Sequence, residues 1–128
     1  MRCANKYTIL IADRNPYVRK FLKRELAKEG YQVILASSIR EVFKFMFTKR
    51  PPDLFVIDPE LFAYTKETLP FTSLQGRVPA SSIIVHGFRH FNDLPIEVPR
   101  GTVFVEKDGE SIERLRQLVK RKLKETRV

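Results

Sequence analysis

Asp58 closes the run Asp53-Leu54-Phe55-Val56-Ile57-Asp58, an apolar pattern of the kind that forms a strand buried on both faces. An ionised carboxylate at the end of such a strand stands outside the C-terminal edge of the sheet, where open α/β folds place their chemistry. There it can serve as a nucleophile or a metal ligand; the bland alternative is a carboxylate that caps the next turn. Asp13 and Lys107 hold the same kind of position, each just beyond a short apolar run. Two carboxylates in one crevice suit a divalent cation, which prefers oxygen ligands. A lysine beside them is either a compensating charge or a point charge that holds a phosphoryl oxygen. Whether the three meet depends on the elements that carry them.

The apolar period switches along the chain between strand-like and helix-like. Tyr7 to Ala12 reads as a buried strand. Asn15 then offers an N-cap with Pro16 at the first helical position, and Val18, Phe21, Leu22 and Leu26 give an apolar helix face that ends at Gly30. Tyr31 to Ala36 is a second strand, and Ser38 with Glu41 forms a capping-box signature for a helix through about Lys49, stopped by Pro51-Pro52. Leu54 to Ile57, Ser82 to Val85 and Thr102 to Val105 are the third, fourth and fifth strands. Pro70, Gly76 and Pro79 leave room for only a brief helix around Phe71 to Gln75, and Pro95 and Pro99 make the fourth crossover short or irregular. A last helix buries Ile112, Leu115, Leu118 or Val119, and Leu123, with Asp108 and Ser111 competing for its start.

Strand and helix alternating in this way imply an α/β fold, a flavodoxin-like, doubly wound five-stranded parallel sheet with helices on both faces. In its usual order of 2-1-3-4-5 the ends of strands one and three flank the switch point, so Asp13 and Asp58 should face one crevice with Lys107 at the same edge.

The chain has 128 residues with 43% hydrophobic and 30% charged, which fits one domain over 1–128 that buries its own core. Cys3 is the only cysteine, so an internal disulfide is ruled out, and a reduced thiol in a cytoplasmic setting is expected. No stretch approaches membrane-spanning length. The net charge of +9 is concentrated between Arg114 and Arg127, where Arg116, Lys120, Arg121, Lys122 and Lys124 intervene. Such a face attracts acidic partners; nucleic acid is not the expected one, because no aromatic residue interleaves the basic ones.

Three segments, Ile9-Leu10-Ile11-Ala12-Asp13-Arg14-Asn15-Pro16-Tyr17-Val18-Arg19, Pro52-Asp53-Leu54-Phe55-Val56-Ile57-Asp58 and Val103-Phe104-Val105-Glu106-Lys107, carry a resemblance that runs almost end to end. The chain resembles the receiver domain of two-component response regulators, the chemotaxis-receiver type. The resemblance implies that Asp58 is the phosphoacceptor for a histidine kinase, a phosphotransfer protein or a small phosphodonor, and that Lys107 contacts the phosphoryl oxygens. It implies a magnesium site of Asp13, Asp58 and the carbonyl of Glu60, a downstream protein partner, homodimerisation as an option, and no enzyme activity beyond the domain's own phosphoryl transfer and dephosphorylation.

Departures from the family pattern bear on each of these implications. Arg14 stands where a second acid usually ligates magnesium; it removes an anionic ligand and brings a cation to the metal's place, so weak or absent magnesium is expected, and an Arg14 turned outward would leave Asp13, Asp58 and the Glu60 carbonyl to bind it weakly. His86 takes the position of a switch hydroxyl that couples to the strand-five aromatic, here Phe104. An imidazole can carry charge near neutral pH and bind phosphate, act as a base in its neutral form, or pack beside Phe104. Asp108 replaces the family's cis-proline, and a trans bond is expected there. The irregular stretch from Arg89 to Arg100 rebuilds part of the output face, and His90 within it has no assigned role. Two function classes follow: a phosphorylatable receiver with an atypical site, and a pseudo-receiver that signals by protein contacts without phosphate. A basic nucleic-acid binder is the third. A hydrolase is disfavoured, since Asp58-Pro59-Glu60 lacks the second Asp such a nucleophile motif carries.

Overall fold

Side-chain alternation along the apolar runs sorts the core into two halves. The computed structural model describes residues 7–63, 78–88 and 100–126. Strands β1 (Thr8–Ala12), β2 (Gln32–Ala36), β3 (Leu54–Ile57), β4 (Ile83–Gly87) and β5 (Val103–Glu106) form one parallel sheet in the order β2-β1-β3-β4-β5. Ile9, Ile11, Leu54, Val56, Ile84 and Val105 point to one face, where they meet Leu22 and Leu26 of α1 (Pro16–Ala27) and Leu115, Leu118, Val119 and Leu123 of α4 (Ser111–Thr126). Leu10, Ala12, Phe55, Ile57, Ile83 and Val85 point to the other, against α2 (Ile39–Met46) and α3 (Glu60–Ala63). Both faces are covered, which is why these strands read as continuous apolar runs. Phe55 is fully buried between β1 and β4, and removing a side chain of that size from water contributes about 1.5–3 kcal/mol. The expected flavodoxin-like order is the one observed.

Local signals fix the helix ends. Asn15 Oδ1 accepts from the Tyr17 N–H at 2.8 Å, and Pro16 opens α1. The chain leaves that helix through Gly30, whose φ of 97° suits a residue without a Cβ. Ser38 Oγ accepts from the Glu41 N–H at 3.2 Å, while the Glu41 carboxylate reaches one residue beyond the box, to the Ser37 N–H at 2.6 Å.

Several boundaries differ from expectation. Pro79 leads into a 3-10 turn over Ala80–Ser82, so β4 starts one residue late and runs on through His86 and Gly87. The second helix ends at Met46 rather than near Lys49. Phe21, expected on the buried face of α1, is exposed with the Arg24 guanidinium over its ring at 5.1 Å. The short α3 directly after Asp58 has no periodic signal in the sequence, since one turn is too short to show a repeat. At α4 the competition is resolved in favour of Ser111 as first helical residue, with Asp108 Oδ1 closing the preceding turn on the Glu110 N–H at 2.8 Å. Cys3, His90, Phe71 to Gln75 and the 89–99 part of the fourth crossover lie outside the described residues.

Candidate functional site

The ladder carries the acids into place. Ala12 pairs with Ile57 and Ala36, and the hydrogen bonding continues one step past the strand ends: the Asp58 N–H donates to the Ala12 carbonyl at 2.8 Å and the Asp13 N–H to the Ala36 carbonyl at 3.2 Å. At the other side of the sheet the Lys107 N–H donates to the Gly87 carbonyl at 2.7 Å. Asp13, Asp58, His86 and Lys107 each come two residues after a side chain of the face shared by α1 and α4, namely Ile11, Val56, Ile84 and Val105. One period-2 pattern thus brings four polar groups to one end of the sheet.

Asp13, Asp58 and Lys107 meet as the sequence implied. Lys107 Nζ lies 2.8 Å from Asp13 Oδ2 and 3.4 Å from Asp58 Oδ2. The second oxygen of each acid closes a turn, Asp13 Oδ1 on the Asn15 N–H and Asp58 Oδ1 on the Glu60 N–H, both at 2.9 Å. Asp58 therefore caps a turn and presents Oδ2 to the crevice at the same time. Both acids are about 1% exposed. Burial pushes the Asp13 carboxyl above its ordinary value, against the pull of Lys107 and the Asn15 N–H. A cleft of about 290 Å³ opens above them, lined by Asp13, Arg14, Asn15, Asp58, Phe88 and Lys107 among others, and the Lys107 ammonium sits 5.3 Å from the Phe88 ring centre.

Arg14 folds inward. Its Nη2 lies 2.7 Å from Glu60 Oε1 and its Nε 3.6 Å from Asp58 Oδ2, so the guanidinium spans the mouth of the acid pocket. The backbone under it is held by Arg19, whose Nη1 donates to the Asp13 carbonyl at 2.6 Å and the Arg14 carbonyl at 3.2 Å. The Glu60 side chain was not singled out by sequence reasoning, which invoked only its carbonyl. Its one available signal is its spacing, two residues past Asp58 and at the start of a helix that turns it back over the site.

A divalent cation does not fit this donor set as it stands. All four carboxylate oxygens of Asp13 and Asp58 already face a donor, and the third acid, Glu60, is held by Arg14. Among the described residues no cluster of His, Cys, Asp and Glu side chains is arranged to hold a metal.

His86 and Phe104 are not brought together. His86 pairs in register with Val105 and Phe104 with Val85, which places their side chains on opposite faces of the sheet. The His86 ring instead reaches the first residue of α4, with Nε2 3.1 Å from Ser111 Oγ. Burial, aided by the positive charge of Lys107, lowers its pKa to about 4, so it is neutral where the sequence reading expected charge. Phe104 is 39% exposed and lines a groove between β5 and α4. No cis peptide bond occurs among the described residues, in agreement with the trans bond expected at Lys107-Asp108.

Comparison with solved structures bears on the fold. The response regulator TrrA from Thermotoga maritima, solved as a complex with Mg2+ and BeF, matches with a TM-score of 0.68 at 22% identity, covering 91% of this chain and 98% of that one. A response regulator receiver protein from Sinorhizobium medicae matches with 0.66 at 16% identity, covering 92% and 94%. The chain has the receiver-domain fold. Full-length FixJ from B. japonicum shares that fold over 93% of this chain and 58% of its own, with a TM-score of 0.69 at 20% identity. No protein-family model matches the sequence, and no curated protein matches it significantly. Receiver topology thus persists here with a pocket in which arginine and lysine both contact the acids. No helix among the described residues is long and apolar enough to cross a membrane.

Proposed function

We propose that this chain is a receiver-type domain of two-component signalling, in which Asp58 accepts a phosphoryl group from a histidine kinase, a phosphotransfer protein or a small phosphodonor. The observation that carries this reading is that the Asp13 and Asp58 carboxylates both lie within 3.4 Å of the Lys107 ammonium at the C-terminal edge of the sheet. Asp58 Oδ2 is the nucleophile, and Lys107 neutralises charge on the phosphoryl oxygens as they arrive. The domain is a signalling module in the cytoplasm, with a kinase upstream and a protein partner or a second copy downstream. It is not an enzyme acting on a separate substrate.

A second reading, a phosphate-independent interaction module, is favoured by one observation, the 2.7 Å Arg14–Glu60 pair that closes the pocket over Asp58. Nucleic acid is disfavoured further by the pairing along α4: Arg116 meets Glu29 and Glu113, and Arg114 meets Asp108. That pairing engages two of the arginines that a phosphate backbone would otherwise meet.

Intact mass after incubation with acetyl phosphate separates the two. The receiver reading predicts one added phosphoryl group in the wild type and none in Asp58→Ala. A folded wild type without an adduct would favour the interaction module.

A further inference from the structure

Glu60 is a buried carboxylate that belongs to none of the hydrogen-bonded turns around it, and its charge is met by Arg14 at 2.7 Å. The guanidinium that meets it also lies along Asp58, with Nε 3.6 Å from Oδ2, and the Arg14 N–H points at the same oxygen from 3.4 Å. The backbone carrying Arg14 is pinned at two carbonyls by Arg19, while the Arg14 side chain itself is 45% exposed. Its anchor is therefore fixed while its side chain is half-exposed. A guanidinium keeps its charge at any physiological pH and offers a planar fork of donors that matches phosphate oxygens. Placed here, it meets the needs a divalent cation would otherwise meet: a fixed positive charge beside the nucleophile, and donors aimed where phosphoryl charge accumulates.

We propose that Arg14, oriented by Glu60, is the built-in cation of this pocket, so that Asp58 takes up a phosphoryl group without a metal ion. The inference rests on the reading of Asp58 as phosphoacceptor. With acetyl phosphate as donor, a lone pair on Asp58 Oδ2 forms the new O–P bond, the bond between phosphorus and the acyl oxygen breaks, and its electron pair leaves on acetate. No proton is needed, and the total charge is the same on both sides. Arg14 moves off Asp58 Oδ2 as the donor enters and closes on the equatorial oxygens, with Lys107 on the opposite flank. Glu60 keeps the guanidinium from following the product into solvent. Arg14 contributes through charge and a fork, so lysine at the same position should restore only part of its effect.

The test compares acetyl phosphate labelling by intact mass in EDTA and in magnesium for the wild type, Arg14→Ala, Arg14→Lys, Arg14→Asp and Asp58→Ala. Mn2+ binding by water-proton relaxation is a readout independent of labelling, and circular dichroism checks the fold of each variant. The wild type should label in EDTA at a rate within about twofold of that in magnesium. Arg14→Ala should fall in EDTA by about 10²-fold, the usual effect of removing one such stabilising group, with Arg14→Lys in between. Arg14→Asp should gain Mn2+ affinity that the wild type lacks and label only with metal. Labelling of the wild type that requires magnesium, equal labelling of wild type and Arg14→Ala in EDTA, or Mn2+ binding by the wild type equal to that of Arg14→Asp would each overturn the inference while leaving Asp58 as acceptor. Labelling of Arg14→Asp alone would also overturn it, making Arg14 a block. No adduct in any variant would overturn the acceptor reading itself, and the built-in cation with it.

Discussion

His86 Nε2 lies 3.1 Å from Ser111 Oγ, joining the end of β4 to the first residue of α4 inside the protein. The Ser111 hydroxyl donates its one hydrogen to the Asp108 carbonyl at 3.2 Å, so towards His86 it accepts, and the imidazole proton belongs on Nε2. Nδ1 is then a bare lone pair, buried without a hydrogen-bond partner among the described residues. Both residues are at most 3% exposed. Ser111→Ala should leave the buried Nε2–H without an acceptor and cost about 1–3 kcal/mol. Urea unfolding measures this; an unchanged midpoint would mean that the contact contributes nothing.

The same imidazole makes stability depend on pH. Its folded value of about 4 lies below the ordinary 6.5, so the unfolded chain binds the proton first as pH falls. The stabilisation is complete above pH 6.5 and is lost between there and pH 4, by an amount on the order of 3 kcal/mol. Asp13, raised by burial, works in the opposite sense above its ordinary 3.8 and offsets part of the loss. Unfolding midpoints of wild type and His86→Asn across this window should diverge, with the wild type the steeper; parallel curves would contradict the buried neutral histidine.

Gly87 stands where the strand passes the loop that carries Asp58. A Cβ built on it would lie 2.8 Å from both Cγ and Cδ of Pro59, closer than real contacts allow. Gly87→Ala must therefore push Pro59 and the adjoining Asp58, at a cost of about 1–3 kcal/mol, and it should slow labelling of Asp58 more than it lowers stability. A variant that labels at the wild-type rate would show that the Pro59 turn does not position the acid.

The sheet and the Asp13, Asp58 and Lys107 cluster were legible because both depend on strand ends. Apolar runs mark the strands, and the charged residue that stops each run is carried to the C-terminal edge by the same alternation. Arg14 was legible as a change of charge but not of direction: its course is set by Glu60, which sits on a single helical turn without periodicity. His86 was misread for a different reason. The apolar run gives a strand from Ser82 to Val85, whereas the strand runs on through His86 and Gly87, and His86 pairs with Val105 in the ladder. Its partner Ser111 is 25 residues away, and no local pattern couples the two.

The most direct test of the central claim is to find where the phosphoryl group is attached. Borohydride reduces an aspartyl phosphate to homoserine, and peptide mass mapping of protein treated with acetyl phosphate then reads the position. Conversion is expected at Asp58 alone, the acid whose Oδ2 faces both Arg14 and Lys107. Conversion at Asp13 instead, or an unaltered Asp58 in folded protein, would contradict it.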